Sequence, residues 1–243
     1  MLAFDIETTG LDRKSCEITI VCAEDFVSGR VYNYEFSKAR AEGSDIAALT
    51  KKMIEDFDAA PSLCAFNGVR FDLPFFVTLG VPEEKIALWI IKTTDILEQC
   101  RLRGLPTFGL NMLCAANGIQ LKSSDGKQAI TMASNCQWDA LREYCADDVK
   151  ILCNLYKQRF VKHPRNNQLL DLRDWAHVEL YSKDQANLQR HVALSQSSPS
   201  SGSTTETDKC VSVLTKLVHN LSKIFCETEE RLKSASQTPP YIN

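Results

Sequence analysis

The chain is poor in the residues that would announce several kinds of function. It has only four histidines, and none of its ten cysteines fall in a CxxC pair, so no zinc-ligand spacing exists. It has no stretch of 18 apolar residues, which excludes an ordinary transmembrane helix. It has no excess of positive charge: the formal net charge is -3, so any contact with nucleic acid must be local or bridged by cations. No internal repeat is visible. The first apolar run begins at Leu2, so no signal or transit peptide is expected ahead of it. Cys16, Cys22, Cys64, Cys114, Cys145 and Cys153 lie inside apolar runs and read as buried, reduced thiols. The expectation is an intracellular protein of cytoplasm or nucleus, with no membrane segment.

What the chain does have is 243 residues, 44% of them hydrophobic, enough for one good-sized core and an appendage. Residues 2–7 and 17–23 read as buried strands, and 31–36 returns as a third after the turn at 25–29. Ser44 is placed to cap a helix reaching Phe57, whose Ile46, Leu49, Met53 and Phe57 recur at helical spacing. Residues 63–66 form a short strand before the turn Asn67-Gly68, and Asp72 opens a helix that Gly80 stops. The run ALWII at 87–91 reads as a strand leading to Asp95 and another helix. Residues 108–116 and 137–160 are predicted helical, with a further helix near 166–192. The segment 195–209 is rich in Ser and Thr, cannot bury a core, and is predicted to be a flexible linker. Residues 210–243 hold an amphipathic helix and a tail. That helix has an apolar stripe to bury, against its own domain, a second copy or a protein partner.

The chemistry begins at FDIETTG. Asp5 and Glu7 are two apart in a strand, so both point to one face. The stretch NGVRFD places Asp72 just after a strand and a turn, where a helix cap is the alternative reading. The stretch YCADDVKIL places Tyr144 and Asp148 four apart on one helical face, among Leu141, Cys145, Leu152 and Leu155. An acid on an apolar stripe needs a reason; Asp147 falls off the stripe and reads as a solvated charge. Four acids converging on one point would repel one another unless divalent cations lie between them. Two such ions about 3.5–4 Å apart suit cleavage of a phosphodiester, and carboxylate oxygens favour Mg²⁺ or Mn²⁺.

These three stretches in this order resemble the DEDD superfamily of 3′–5′ exonucleases over roughly residues 1–160. The Tyr144–Asp148 spacing resembles its DEDDy branch. Together with GLNMLCAANGI and KSSDGK, the wording is closest to stand-alone relatives of the proofreading domain of family B DNA polymerases. The resemblance implies an α/β, ribonuclease H-like fold: a mixed five-stranded sheet flanked by helices, followed here by a C-terminal helical appendage. It implies a domain at 1–160; composition and periodicity add a helical extension at 161–194, the linker at 195–209 and the amphipathic segment at 210–243. It implies two divalent ions held by Asp5, Glu7, Asp72 and Asp148, with Asp72 acting partly through water and Tyr144 orienting the attacking water. Thr8, Leu11, Asn67 and Phe71 become substrate-binding candidates. Asn67 either meets the terminal nucleotide or braces its loop, and Leu11 either touches the terminal base or is ordinary core. The partner implied is a nucleic acid 3′ end, with single-stranded DNA favoured over RNA. An exoribonuclease and a degenerate, non-catalytic binding scaffold are the other readings. The residues after 160 are too few for a polymerase domain, so the enzyme is expected to act alone or with a partner protein. Asp95 is a fifth acid, for which helix capping is the simpler role. Arg70, Arg101, Arg103, Lys122 and Lys127 form a pool of cations for phosphates, and His163 reads as an ordinary surface or helix residue.

Overall fold

The apolar run at the start of the chain becomes strand β1, Leu2–Thr8, and its alternation organises everything around it. Leu2, Phe4 and Ile6 bury into one cluster and Ala3 into another, so Asp5 and Glu7 leave the strand on the Ala3 face. The computed structural model describes residues 1–119 and 127–172. β2, Ile18–Asp25, and β3, Val31–Tyr34, run antiparallel to their neighbours as a meander. β4, Leu63–Ala65, lies parallel to β1, and β5, Thr93–Asp95, lies parallel to β4. The order β3-β2-β1-β4-β5 makes a mixed five-stranded sheet with β1 at its centre.

Helices cover both faces. On the first lie α1, Phe36–Ala41, α2, Ile46–Ala59, α3, Asp72–Phe75, a 3-10 turn at Phe76–Leu79, and α4, Glu83–Ile91. Its centre is aromatic: Phe57 has ring centroids 5.2 Å from Phe4, 5.5 Å from Phe76 and 5.1 Å from Trp89. Burying each such side chain contributes about 2 kcal/mol. On the second face lie α5, Ile96–Leu102, α6, Leu110–Ala116, α7, Lys127–Ser134, α8, Trp138–Lys157, and the hairpin of β6, Phe160–Lys162, with β7, Leu169–Asp171. No described helix is long and apolar enough to cross a membrane.

Several sequence expectations change here. The run 87–91 is not a strand but the end of α4, with Ile86, Ala87, Trp89 and Ile90 buried. A short apolar run fits a buried helix as well as a strand, and Glu83 and Glu84 in the first turn suit the helix dipole. The strand begins two residues later, at Thr93. The cap of α2 is Asp45 rather than Ser44, because the Asp45 carboxylate accepts the Ala48 N–H at 3.0 Å. Residue 36, expected at the end of a strand, opens α1 instead. The helix expected from 166 gives way, over the described residues, to the β6–β7 hairpin. Arg159 and Asn167 adopt left-handed backbone there, which breaks a helix. Val161, Leu170 and Leu172 bury in the second cluster, so the folded unit runs on past residue 160. His163 is wholly buried rather than at the surface, with Nε2 2.9 Å from the Pro106 carbonyl. The rest of the 161–194 extension, the linker at 195–209 and the segment 210–243 lie outside the described residues.

Candidate metal centre

β1 presents Asp5 and Glu7 toward α8, which crosses that face of the sheet. Leu141, Cys145, Val149, Leu152 and Leu155 bury the helix against it. Cys145 Sγ donates to the Asp5 carbonyl at 3.6 Å, which ties helix to strand at the level of the acids. Asp148, on the same helix, closes the group: Asp5, Glu7 and Asp148 each offer an oxygen within 4.8 Å of the others. Tyr144 stands one turn before Asp148, half-buried against the second cluster.

Asp72 approaches from the other side of β1. It is the first residue of α3, buried, and its Oδ1 accepts the Ile6 N–H at 3.1 Å. The β1–β4 pairing stops at Ala3 and Cys64, so the Ile6 amide has no strand partner on that edge and takes a carboxylate instead. The capping alternative for Asp72 fails, since Phe71 holds the cap position and no side chain caps the helix. Asp72 lies outside the group of three oxygens, yet its charge reaches it.

The electrostatics record that convergence. Burial, then Asp72, Glu7 and Asp148, push Asp5 well above the ordinary carboxylate range. Burial, then Asp148 and Asp72, push Glu7 up to about 8. Burial and Asp95 push Asp72 up to about 7, against the lowering effect of the Ile6 amide. Burial and the neighbouring Asp147 push Asp148 up to about 6. Asp147 is half-buried rather than fully solvated. Every charged neighbour named here disfavours ionisation. A divalent cation reverses that balance, and an all-oxygen donor set of this kind fits Mg²⁺ or Mn²⁺.

The remaining candidates separate. Leu11 is 68% exposed, so the core reading fails and its side chain stands in solvent just beyond β1. Thr8 is buried at a bulge in β1, its hydroxyl donating to the Gly10 carbonyl at 2.6 Å. Asn67 has φ 67° and its Oδ1 accepts from Arg101 Nη2 at 2.7 Å, which is the loop-bracing role. Phe71 is half-buried, its ring 5.0 Å from that of Phe75. The cation pool shrinks: Arg70 and Arg101 both pair with Glu98 inside the fold. Lys122 lies outside the described residues. Sequence reasoning missed the Arg70–Glu98 pair and the Cys145 bond to Asp5, since both join segments far apart in the chain; the three-residue spacing of Glu98 and Arg101 on α5 was a signal that could have found Glu98.

No curated protein matches this chain. Among solved structures, it is similar to the family B DNA polymerase of the hyperthermophilic archaeon Pyrobaculum calidifontis, with 19% identity and a TM-score of 0.48 over 65% of this chain and 24% of the polymerase. A structure described as the apo form of a nuclease matches with 16% identity and a TM-score of 0.44, over 100% of this chain and 89% of that one. A product-bound exonuclease I matches with 19% identity and a TM-score of 0.39, over 65% of this chain and 46% of the exonuclease. The chain thus spans well under half of the polymerase and less than half of exonuclease I. The family model RNase_H_2, described as RNase_H superfamily, matches residues 2–160, the stretch that builds the five strands and carries all four acids. The chain therefore belongs to the RNase_H superfamily.

Proposed function

We propose that this chain is a metal-dependent 3′–5′ exonuclease of the DEDDy type, acting on single-stranded or frayed DNA 3′ ends and releasing 5′-mononucleotides. The observation that carries the reading is the meeting of Asp5, Glu7 and Asp148 oxygens within 4.8 Å. Asp72 stands beside them, and Tyr144 is one helical turn from Asp148. Two divalent ions, Mg²⁺ or Mn²⁺, would supply an activated water and stabilise the leaving 3′ oxygen. Asp5, Glu7 and Asp148 would hold them directly. Asp72 keeps one oxygen on the Ile6 amide, so the other is its contribution, in part through water. The Tyr144 hydroxyl would orient the attacking water by a hydrogen bond rather than act as a full base. Leu11, exposed beyond the strand, is available to the terminal base. Thr8, Asn67 and Phe71 would shape the floor beneath it, Asn67 through its loop rather than its occupied side-chain oxygen.

The test is a gel assay with end-labelled single-stranded DNA, RNA and mismatched duplex, each with Mg²⁺, Mn²⁺ or EDTA. Stepwise shortening of DNA from its 3′ end, lost in EDTA and in Asp148→Ala, is the expected result. Shortening of RNA in preference to DNA reassigns the substrate. Tight binding of DNA with no cleavage in either metal overturns the enzymatic reading.

A further inference from the structure

The turn that carries Asp72 is held from beneath by an acid whose helix-capping role does not account for all its bonds. Asp95 ends β5 and is fully buried. Its Oδ1 accepts the Leu97 N–H at 2.9 Å and the Glu98 N–H at 3.0 Å, which caps α5 as its sequence position suggests. The same Oδ1 accepts the Asn67 N–H at 2.9 Å, and Oδ2 accepts the Val69 N–H at 2.9 Å. These last two donors belong to the NGVRFD turn. Oδ2 thus has a partner that helix capping does not require.

The turn needs such a hold. Asn67 sits in left-handed backbone, which a non-glycine residue adopts at a cost. Gly68 is pressed so closely to the sheet that a Cβ there would come within 2.5 Å of the Ala65 Cβ. From the held residues, bonds run on around Asp72. The Asn67 carbonyl accepts the Phe71 N–H at 3.0 Å, and the Gly68 carbonyl accepts the Leu73 N–H at 2.8 Å. Arg101 adds a second tie, bonding Asn67 Oδ1 while pairing with Glu98.

We propose that Asp95 is a positioning residue for the acid cluster: by fixing the 67–69 turn it sets Asp72 against Asp5 and Glu7. It touches neither metal nor substrate in this account. The proposal rests on the metal-centre reading above and goes beyond it by assigning affinity for the cation to a group outside the cluster. Asp95→Asn keeps the shape and can keep one accepting oxygen for α5 and Asn67. It turns an NH₂ group toward the Val69 N–H, donor against donor, and so releases the turn.

The experiment is Mn²⁺ binding by calorimetry on the full chain without nucleic acid, paired with oligonucleotide cleavage over a range of Mn²⁺ concentrations. Replacement of groups that orient metal ligands typically weakens binding by about 10- to 100-fold, and that is the loss expected for Asp95→Asn. The Mn²⁺ concentration for half-maximal rate rises by a similar factor, while the rate at saturating Mn²⁺ largely recovers. Asn67→Ala removes the Arg101 tie without touching Asp95 and gives a smaller loss in the same direction. Tyr34→Phe, which removes the bond to Asp56 on the opposite face, lowers Tm but leaves Mn²⁺ affinity unchanged. Wild-type protein that binds Mn²⁺, with Asp95→Asn binding it within twofold, overturns the positioning role alone. If Asp95→Asn does not fold, Asp95→Ser takes its place: its one oxygen can still cap α5 but leaves the Val69 N–H without Oδ2, and Mn²⁺ binding within twofold of wild type in folded Asp95→Ser overturns the role equally. Wild-type protein that takes up no Mn²⁺ overturns the metal centre and this proposal together.

Discussion

The two faces of the central sheet are built from different chemistry, although one strand serves both. The face toward α2 and α4 is packed with Phe4, Phe57, Phe76 and Trp89, interlocked at ring separations of 5.1 to 6.3 Å. The face toward α8 uses smaller and softer residues, among them the buried thiols Cys22, Cys64, Cys100, Cys114, Cys145 and Cys153. Eight cysteines lie in the described residues, all as free thiols, and Cys16 is only half-buried. Into this second face the chain sets acids that burial and mutual repulsion oppose. The difference teaches a division of labour. The aromatic face packs β1 in place, and the other face keeps like charges together against burial and repulsion.

The two faces therefore break in opposite ways. The largest effect is expected at the acids: Asp5→Ala, Glu7→Ala or Asp148→Ala abolishes cleavage while leaving a folded protein. Without metal, each variant melts slightly higher than wild type, because one repelling charge is gone. Circular dichroism melts and a cleavage assay read both halves, and an Asp148→Ala protein with wild-type turnover removes the site assignment. Phe57→Ala does the reverse. It empties the centre of the ring cluster and costs about 3–5 kcal/mol of stability in a urea titration. Its folded fraction keeps its specific activity, and a cost under about 1 kcal/mol contradicts the role given to the aromatic face. Tyr144→Phe slows cleavage by about 10- to 1000-fold through loss of an orienting hydroxyl. It leaves Mn²⁺ binding intact by calorimetry; lost metal binding makes Tyr144 a ligand instead.

The smallest effect is expected in the pH dependence of stability without metal. The folded-state pKa values of Asp5, Glu7, Asp72 and Asp148 are raised above their ordinary values. Over the intervening pH range the native state therefore binds more protons than the unfolded one. Their protonation supports the fold below the ordinary carboxylate range. That support is lost as pH rises through the window in which Asp148 titrates at about 6, Asp72 at about 7 and Glu7 at about 8. In EDTA the Tm should fall by several degrees between pH 5 and pH 9, and Mg²⁺ or Mn²⁺ should restore it most at the alkaline end. A flat metal-free profile says that neither burial nor charge repulsion raises these acids.

Much of this could be read along the chain, because strand and helix periodicities are local. The alternation through LAFDIE already puts Asp5 and Glu7 on one face, and four-residue spacing already puts Tyr144 and Asp148 on one stripe. Those patterns required no partner to be known. Four of the five strands of the central sheet were legible for the same reason, as apolar runs bounded by turns. The apolar run at 87–91 was not, since a buried segment looks alike as helix or strand until its neighbours are in place. The β6–β7 hairpin was hidden too: its strands are short, and only the pairing of Phe160 with Asp171 and the burial of Val161 and Leu170 define it.

By itself, then, the sequence determined which residues carry charge into the core and which face of each element they occupy, because those follow from backbone geometry within a few residues. Tertiary structure alone decided what each charge meets. It separated Asp72, bonded to the Ile6 amide, from the three acids whose oxygens gather. It withdrew Arg70 from the surface pool by pairing it with Glu98 and tied Arg101 to Asn67, and it gave Asp95 two amides from a turn 26 and 28 residues away. Such pairings depend on distances through space between segments far apart in the chain, where a buried donor or acceptor must find whatever partner the fold has brought within about 3 Å.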